Sequence, residues 1–176
     1  MLLNKNTLFS VKNKKIIVTG GKGGNGSCIV ENLINLGANV ESIDLPNHDI
    51  TNINDLNSIV SKYEALDGLI NCAGVTYGNN IFDYNVNDWD KTISVNLKSP
   101  YLLAKLVAEK MKENGGSIIN ITSLNSELAF PNNPAYVASK GGLKQLTKSL
   151  ALDLGKYNIR VNNIGPGYIR TNMTKK

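Results

Sequence analysis

The apolar positions of this chain fall into short continuous runs that alternate with stretches of helical spacing. Lys15-Ile16-Ile17-Val18 is too short for a helix and is stopped by the glycine cluster Gly20–Gly26, so it reads as a buried strand. Between Ser27 and Leu36, residues Cys28, Ile29, Leu33 and Leu36 recur at the intervals of one helix face. Gly37 suits the position just past that helix. Asn39–Ile43 is a second strand leading into Asp44, Pro46–Thr51 is loop-like, and Asn54–Tyr63 is a short helix. Leu69–Cys72 is a third strand closed by Ala73-Gly74. Val86–Lys112 reads as one long helix that Gly115-Gly116 ends. Ser117–Ile121 is a fourth strand, Ala135–Leu154 a helix, and Arg160–Ile164 a fifth strand.

Alternation of this kind requires a parallel sheet with helices on both faces. The expected architecture is a three-layer α/β fold, a doubly wound Rossmann-type parallel sheet. It forms one domain over residues 1–176, with 1–8 as an N-terminal extension. Ligands bind such sheets at the carboxyl ends of the strands, so the residues just after each strand are where chemistry is sought.

Composition narrows the function. A chain of 176 residues, 41% hydrophobic and 19% charged, holds a core and is not disordered. The net charge of +5 is scattered, without a basic block or an aromatic-interleaved basic stripe. It reads as a surface that attracts anionic cofactors, and nucleic acid is not an expected partner. Cys28 and Cys72 lie in separate elements, which argues against a disulfide framework or a metal site, and both read as buried thiols. No run has signal-peptide character or membrane-spanning length, so the expected location is the cytoplasm, with no membrane partner.

Gly20, Lys22, Gly23, Gly24, Asn25 and Gly26 sit directly between a strand and a helix. Glycines there allow a tight turn and close approach of backbone to a pyrophosphate, and the helix start presents unpaired N–H groups. Asp44 follows the second strand, about 20 residues on, where an acid binds adenosine ribose hydroxyls. With Leu45 beside it, Asp44 favours NAD(H), because a carboxylate repels a 2′-phosphate. Lys22 is the counter-hint, and NADP(H) is the less favoured cofactor.

Tyr136-Val137-Ala138-Ser139-Lys140 places a phenol and an ammonium one helical turn apart. A tyrosine of pKa about 10 exchanges protons poorly at neutral pH, and a nearby cation is expected to lower that value. Tyr136 then acts as general acid/base in hydride transfer between a nicotinamide and an alcohol or ketone. The spacing alone is weak: with 7 tyrosines in the chain, roughly 0.7 chance occurrences are expected. Tyr101 to Lys105 is a second copy, but it lies inside a long helix and reads as packing. Tyr136 opens a helix after the fourth strand, and Ser123, just past that strand, can donate to a substrate oxygen.

Taken in order, these motifs resemble the short-chain dehydrogenase/reductase family from about Phe9 to Thr171. The resemblance implies that Asp49-Ile50 lies beside the adenine and that Asn71-Cys72-Ala73-Gly74 is the family's cofactor-binding strand end. It implies that Asn96 holds a water in the proton relay, and that Ser123, Tyr136 and Lys140 are the other catalytic residues. Lys140 would also bond the nicotinamide ribose. The segment Pro166-Gly167-Tyr168-Ile169-Arg170-Thr171 would receive the nicotinamide, with Ile169 and Thr171 in contact. The resemblance further implies homodimers or homotetramers joined through the helices that carry Asn96 and Tyr136. Ala138, Ser139, Gly141 and Gly142 would permit the close approach.

Several departures from the family stand out. Asn25 replaces an apolar residue and Cys72 an asparagine, both at positions used through the backbone. Only Leu45–His48 separate Asp44 from Asp49, where relatives carry a helix, so the adenine pocket is expected to be more open. His48 reads as exposed. Relatives continue past Lys176 with a substrate lid and a last strand, so a longer native chain is expected. The reading is an oxidoreductase acting on a secondary alcohol or ketone. The alternative is a non-catalytic dinucleotide-binding protein or an inactive short form.

Overall fold

The computed structural model of the protein describes residues 9–171 and residue 174. The expected extension, residues 1–8, lies outside them. The strands are β1 (Lys15–Thr19), β2 (Asn39–Ile43), β3 (Gly68–Asn71), β4 (Gly116–Ile121) and β5 (Ile159–Ile164). The helices are α1 (Gly24–Asn35), α2 (Ile53–Val60), α3 (Val86–Ile93), α4 (Ser99–Met111) and α5 (Pro134–Leu154). Every strand pairing is parallel, and the order is β2-β1-β3-β4-β5. The chain leaves β1 in one direction to reach β2 and returns across it to β3. A crevice therefore opens at the carboxyl ends of β1 and β3.

Side chains alternate between the two faces of β1. Ile17 enters the larger core with Leu56, Ile59, Leu69, Leu103, Val107, Met111 and Ile118. Ile16 and Val18 face the other way, onto Ile29, Val30 and Leu33 of α1. Burial on both faces is why β1 carries a continuous apolar run rather than an alternating one. Farther along the α1 face, Ile119 is half-buried, and Arg160, Asn162 and Ile164 are exposed.

Some local expectations need correction. Helix α1 starts at Gly24 rather than Ser27, because the last glycines of the cluster already take helical geometry. The span Val86–Lys112 is not one uniform helix. Ser94–Lys98 forms π turns, in which the Ser99 N–H reaches back to the Ser94 carbonyl. Ser99 Oγ donates to the same oxygen at 2.8 Å, and Pro100 has no N–H to offer the Asn96 carbonyl. Hydropathy runs smoothly through this segment, so periodicity does not reveal it. Cys28 is exposed, one position off the face that α1 turns to the sheet, and is not a buried thiol. Tyr101 lies on α4 with 44% of its surface exposed.

Asp67 ties the start of β1 to the chain entering β3. It accepts from Lys14 Nζ at 2.7 Å and from the Lys15 N–H at 2.9 Å. Burial alone would raise its pKa. The two hydrogen bonds and the charges of both lysines outweigh that and hold the carboxyl below its ordinary value. The folded state therefore binds this proton less readily than the unfolded state. Its contribution is fully present above the unfolded carboxylate range and is lost as pH falls through the folded pKa. Asp67→Asn is expected to cost about 0.5–1 kcal/mol at pH 7. Urea midpoints measured from pH 7 downward should show the two proteins converging below about pH 4.

Candidate active site

At the carboxyl ends of β1, β2 and β3 the chain encloses a cavity of about 560 Å³. Its walls include Gly20, Gly23, Gly24, Asn25 and Gly26 from the glycine loop, and Asp44, Leu45, Asp49 and Ile50 after β2. Cys72, Ala73 and Gly74 after β3 and Thr171 near the described end are the other expected residues on the wall. The loops are held together by backbone N–H groups. Thr19 Oγ1 accepts from the N–H groups of Cys72 and Ala73, each at 3.1 Å, and the Gly20 N–H bonds to the Ile43 carbonyl at 3.0 Å.

Gly20 has φ +71°, and a Cβ there would stand 2.7 Å from Ala73 Cα. A Cβ on Gly26 would collide with the Gly20 carbonyl. Helix α1 has Gly23 as N-cap, without a side-chain cap or an acid in its first turn. Its first N–H groups adjoin the cavity unneutralised, which fits the negative charge of a dinucleotide pyrophosphate.

Asp44 does more than end a strand. Its Oδ2 accepts from the Lys22 N–H at 3.0 Å and from Ser42 Oγ at 3.0 Å. The backbone of Lys22 therefore fixes the acid against the glycine loop, while Lys22 itself is exposed and absent from the cavity wall. His48, expected in solvent, is half-buried on the wall, because the chain turns back at once from Asp44 through a bond from the His48 N–H to the Asp44 carbonyl, 3.0 Å. Asp49 accepts from the N–H and hydroxyl of Thr51, both at 2.8 Å, and so shapes the turn into α2.

Asn71 departs from expectation. Its side chain lies within the sheet, donating to Asn120 Oδ1 at 2.8 Å, and does not reach the cavity. Its position as the last residue of β3 aims it at the neighbouring strand. Pro166, Gly167 and Ile169 also stand off this cavity. They run beside the end of β4, where the Leu124 N–H bonds to the Pro166 carbonyl at 3.1 Å. Sequence reading missed Thr51, Val75, Tyr77, Lys91 and Val95 on the wall. Lys91 and Val95 are four residues apart on the helical segment that carries Asn96, a spacing that could have flagged them. Thr51 directly follows the expected adenine pair. Lys91 Nζ lies 5.6 Å from the centre of the Tyr77 ring, a contact no local pattern reveals.

Beside the cavity the structure brings together Asn96, Ser123, Tyr136 and Lys140. A Cβ on Gly74 would stand 3.4 Å from Asn96 Oδ1 and 3.7 Å from Lys140 Nζ, so Gly74 joins the cavity to this cluster. Asn96 is fully buried. Its Oδ1 accepts from the Val75 N–H at 2.9 Å, and its Nδ2 donates to the Val75 carbonyl at 2.9 Å and to Ser139 Oγ at 3.1 Å. Its side chain is thus occupied by protein. Ser139 was the missed partner.

Lys140 is 4% exposed, and its Nζ donates to the Ile121 carbonyl at 2.7 Å. Burial pushes its pKa down to about 8. Tyr136 is half-buried, with Lys140 Nζ 5.7 Å from its ring centre. Burial raises the phenol pKa, and the neighbouring Ser123 hydroxyl, whose Oγ donates to Asn125 Oδ1 at 3.3 Å, offsets only part of that rise. The expected depression by Lys140 is therefore not present in this arrangement, because the ammonium is bound to a backbone carbonyl and not to the phenol. Burial also pushes the Cys72 thiol up, against the pull of Lys140, so it is not a ready nucleophile. Among the described residues, no group of three His, Cys, Asp or Glu side chains is placed to hold a metal ion. No helix of the described residues is long and apolar enough to cross a membrane.

Comparison with known proteins agrees with this fold. Trans-4-hydroxycyclohexanecarboxylate dehydrogenase of Sinomonas cyclohexanicum is 44% identical over 115 residues, covering 65% of this chain and 44% of that protein. A solved 4-hydroxyisoleucine dehydrogenase complexed with NADH superposes with TM-score 0.87 at 32% identity, over 91% of this chain and 78% of the other. A gluconate 5-dehydrogenase from Burkholderia cenocepacia, in complex with NADP and tartrate, gives 0.87 at 26% identity, over 95% and 76%. The chain thus spans less than half of the first relative and about three quarters of the two solved chains. The family described as short chain dehydrogenase matches residues 44–176. With that match added to a parallel sheet, a glycine-lined crevice and the clustered Asn96, Ser123, Tyr136 and Lys140, the chain belongs to the short-chain dehydrogenase family.

Proposed function

We propose that this protein is an NAD(H)-dependent oxidoreductase that interconverts a secondary alcohol and a ketone on a hydroxy acid, with Tyr136 as general acid/base. The observation that carries the reading is the meeting of Ser123, Tyr136 and Lys140 beside a cavity whose walls come from the ends of β1, β2 and β3. When bound, NAD(H) supplies the hydride carrier and, in its oxidised form, a positively charged ring. The N–H groups at the start of α1 hold its pyrophosphate, Asp44 its adenosine ribose, and Asp49 and Ile50 flank its adenine. The Asp44 carboxylate, fixed by the Lys22 N–H and Ser42, favours NAD(H) over NADP(H).

Ser123 donates to the substrate oxygen, and Tyr136 takes the hydroxyl proton as the carbon is oxidised or returns it on reduction. The raised phenol pKa keeps Tyr136 protonated at neutral pH, the state that reduction needs. Oxidation needs the phenolate, which the positively charged ring of the oxidised cofactor would favour. With its side chain engaged by Val75 and Ser139, Asn96 would hold a water through its main-chain carbonyl. The hydroxy-acid class follows from three relatives whose names specify a hydroxylated carboxylic acid. Homodimers or homotetramers form through α4 and α5. Ala138 is exposed and nothing lies within 4 Å of a Cβ on Gly141, whereas Ser139 and Gly142 pack inside the subunit.

Tyr136→Phe is expected to lower turnover by about 10²- to 10⁴-fold while NADH binding, followed by fluorescence, is unchanged. A non-catalytic binder would show equal behaviour for both proteins. The oxidation rate should rise with pH as the phenol ionises. Asp44→Ala should raise the preference for NADP over NAD, read as the ratio of kcat/KM values. For Lys140 the folded pKa lies below the unfolded value, so folding becomes more favourable as pH rises from about 8 toward the ordinary lysine value of 10.5. The stability of the wild type relative to Lys140→Met is expected to increase between pH 7 and pH 10 by on the order of 2 kcal/mol in urea unfolding. A flat difference would show that the ammonium is not buried.

A further inference from the structure

Helix α5 carries both Tyr136 and Lys140, yet of its 21 residues the fully buried ones are Ala135, Ser139, Lys140, Leu143 and Thr147. Two of these are apolar. Leu150, Ala151 and Leu154 add half-buried apolar contact with the core, but apolar contact is non-directional and by itself specifies the register of the helix weakly. Something directional has to fix its register.

A buried polar chain runs through this interface. Asn71 Nδ2 donates to Asn120 Oδ1 at 2.8 Å, and Asn120 Nδ2 donates to Thr147 Oγ1 at 2.9 Å. Thr147 Oγ1 donates to the Leu143 carbonyl at 2.8 Å. The residues are 3%, 1% and 2% exposed, respectively. The direction of the chain is determined: the Thr147 proton is committed to Leu143, so its oxygen can only accept, which orients Asn120 and then Asn71. Thr147 lies two turns below Lys140 on the same face of α5. Asn120 directly precedes Ile121, whose carbonyl accepts from Lys140 Nζ at 2.7 Å. The helix is therefore held to neighbouring residues of β4 at two levels, and Asn71 extends the hold to β3 just before the cavity wall at Cys72–Gly74.

We infer that Asn120 and Thr147 are positioning residues that set the register of α5 on the sheet and thereby the placement of Tyr136 against Ser123. A slipped helix strands buried amide and hydroxyl groups without partners, which penalises every other register. The inference rests on the catalytic reading of Tyr136 given above.

The test compares wild type, Thr147→Val, Thr147→Ser and Asn120→Ser in the full chain. Thr147→Val keeps the shape and removes the hydroxyl; Thr147→Ser keeps the hydroxyl; Asn120→Ser is too short to span to Thr147. Steady-state oxidation of hydroxy acids with NAD is measured against pH, NADH binding by fluorescence, and Tyr136 ionisation by ultraviolet difference titration with Tyr136→Phe as the blank. Thr147→Val and Asn120→Ser are expected to lower kcat by about 100-fold. Both should move the pH limb and the Tyr136 titration to higher pH as the Ser123 contact loosens, with NADH affinity retained. Thr147→Ser should restore all three. If Thr147→Val or Asn120→Ser only lowers the urea midpoint, with kcat, pH limb and phenol titration as in wild type, the inference is overturned. Should wild type bind NADH without turnover, the catalytic reading fails separately. The phenol titration then decides alone: a shift supports the positioning role and none refutes it.

Discussion

A lysine ammonium 4% exposed to solvent, held by one backbone carbonyl at 2.7 Å, is the most demanding requirement in this fold. Burying a charge disfavours its ionised form, and the pKa of about 8 records that penalty. The surroundings have to supply a fixed acceptor, a close helix and a neighbour without a side chain. Ile121 is the last residue of β4, so its carbonyl is available where the ladder ends. Gly74 lies against the cluster, where a Cβ would come into van der Waals contact with both Asn96 and Lys140. The site is therefore a consequence of where three strands end and of which residues there have no side chain.

The cavity follows the same logic. Parallel pairing sends every crossover over a face of the sheet and leaves all carboxyl ends at one edge. Gly20 closes against Ala73, Thr19 ties β1 to the residues after β3, and Asp44 is drawn to the glycine loop by the Lys22 N–H. Backbone N–H groups donate the hydrogen bonds, and the Thr19 and Asp44 side chains accept them. Asn25 and Cys72 both stand on the wall of the cavity so formed. The short Leu45–His48 loop turns inward, so one histidine joins the wall in place of an intervening element.

Much of this was legible in the residue order. Strand and helix alternation gave the layer architecture, because periods of two and near four are imposed by backbone geometry. Gly20, Gly26, Asp44 and Gly74 announced themselves by position directly after apolar runs. Asn71 misled, since a residue at a strand end can turn toward the ligand edge or toward the next strand, and only pairing with β4 decides. The π segment around Asn96 was invisible for a similar reason: its apolar spacing passes for an ordinary helix.

The sequence by itself determined which elements form, in what order, and that a phenol and an ammonium share one face of a helix, because those are local consequences of side-chain spacing. Only the tertiary structure decided what that pair touches. It gave Lys140 to the Ile121 carbonyl, left Tyr136 half-buried beside Ser123, and set the phenol pKa above, rather than below, its ordinary value. Burial and hydrogen-bond partners arise from elements far apart along the chain, and no pattern within one helix encodes which carbonyl will stand nearest.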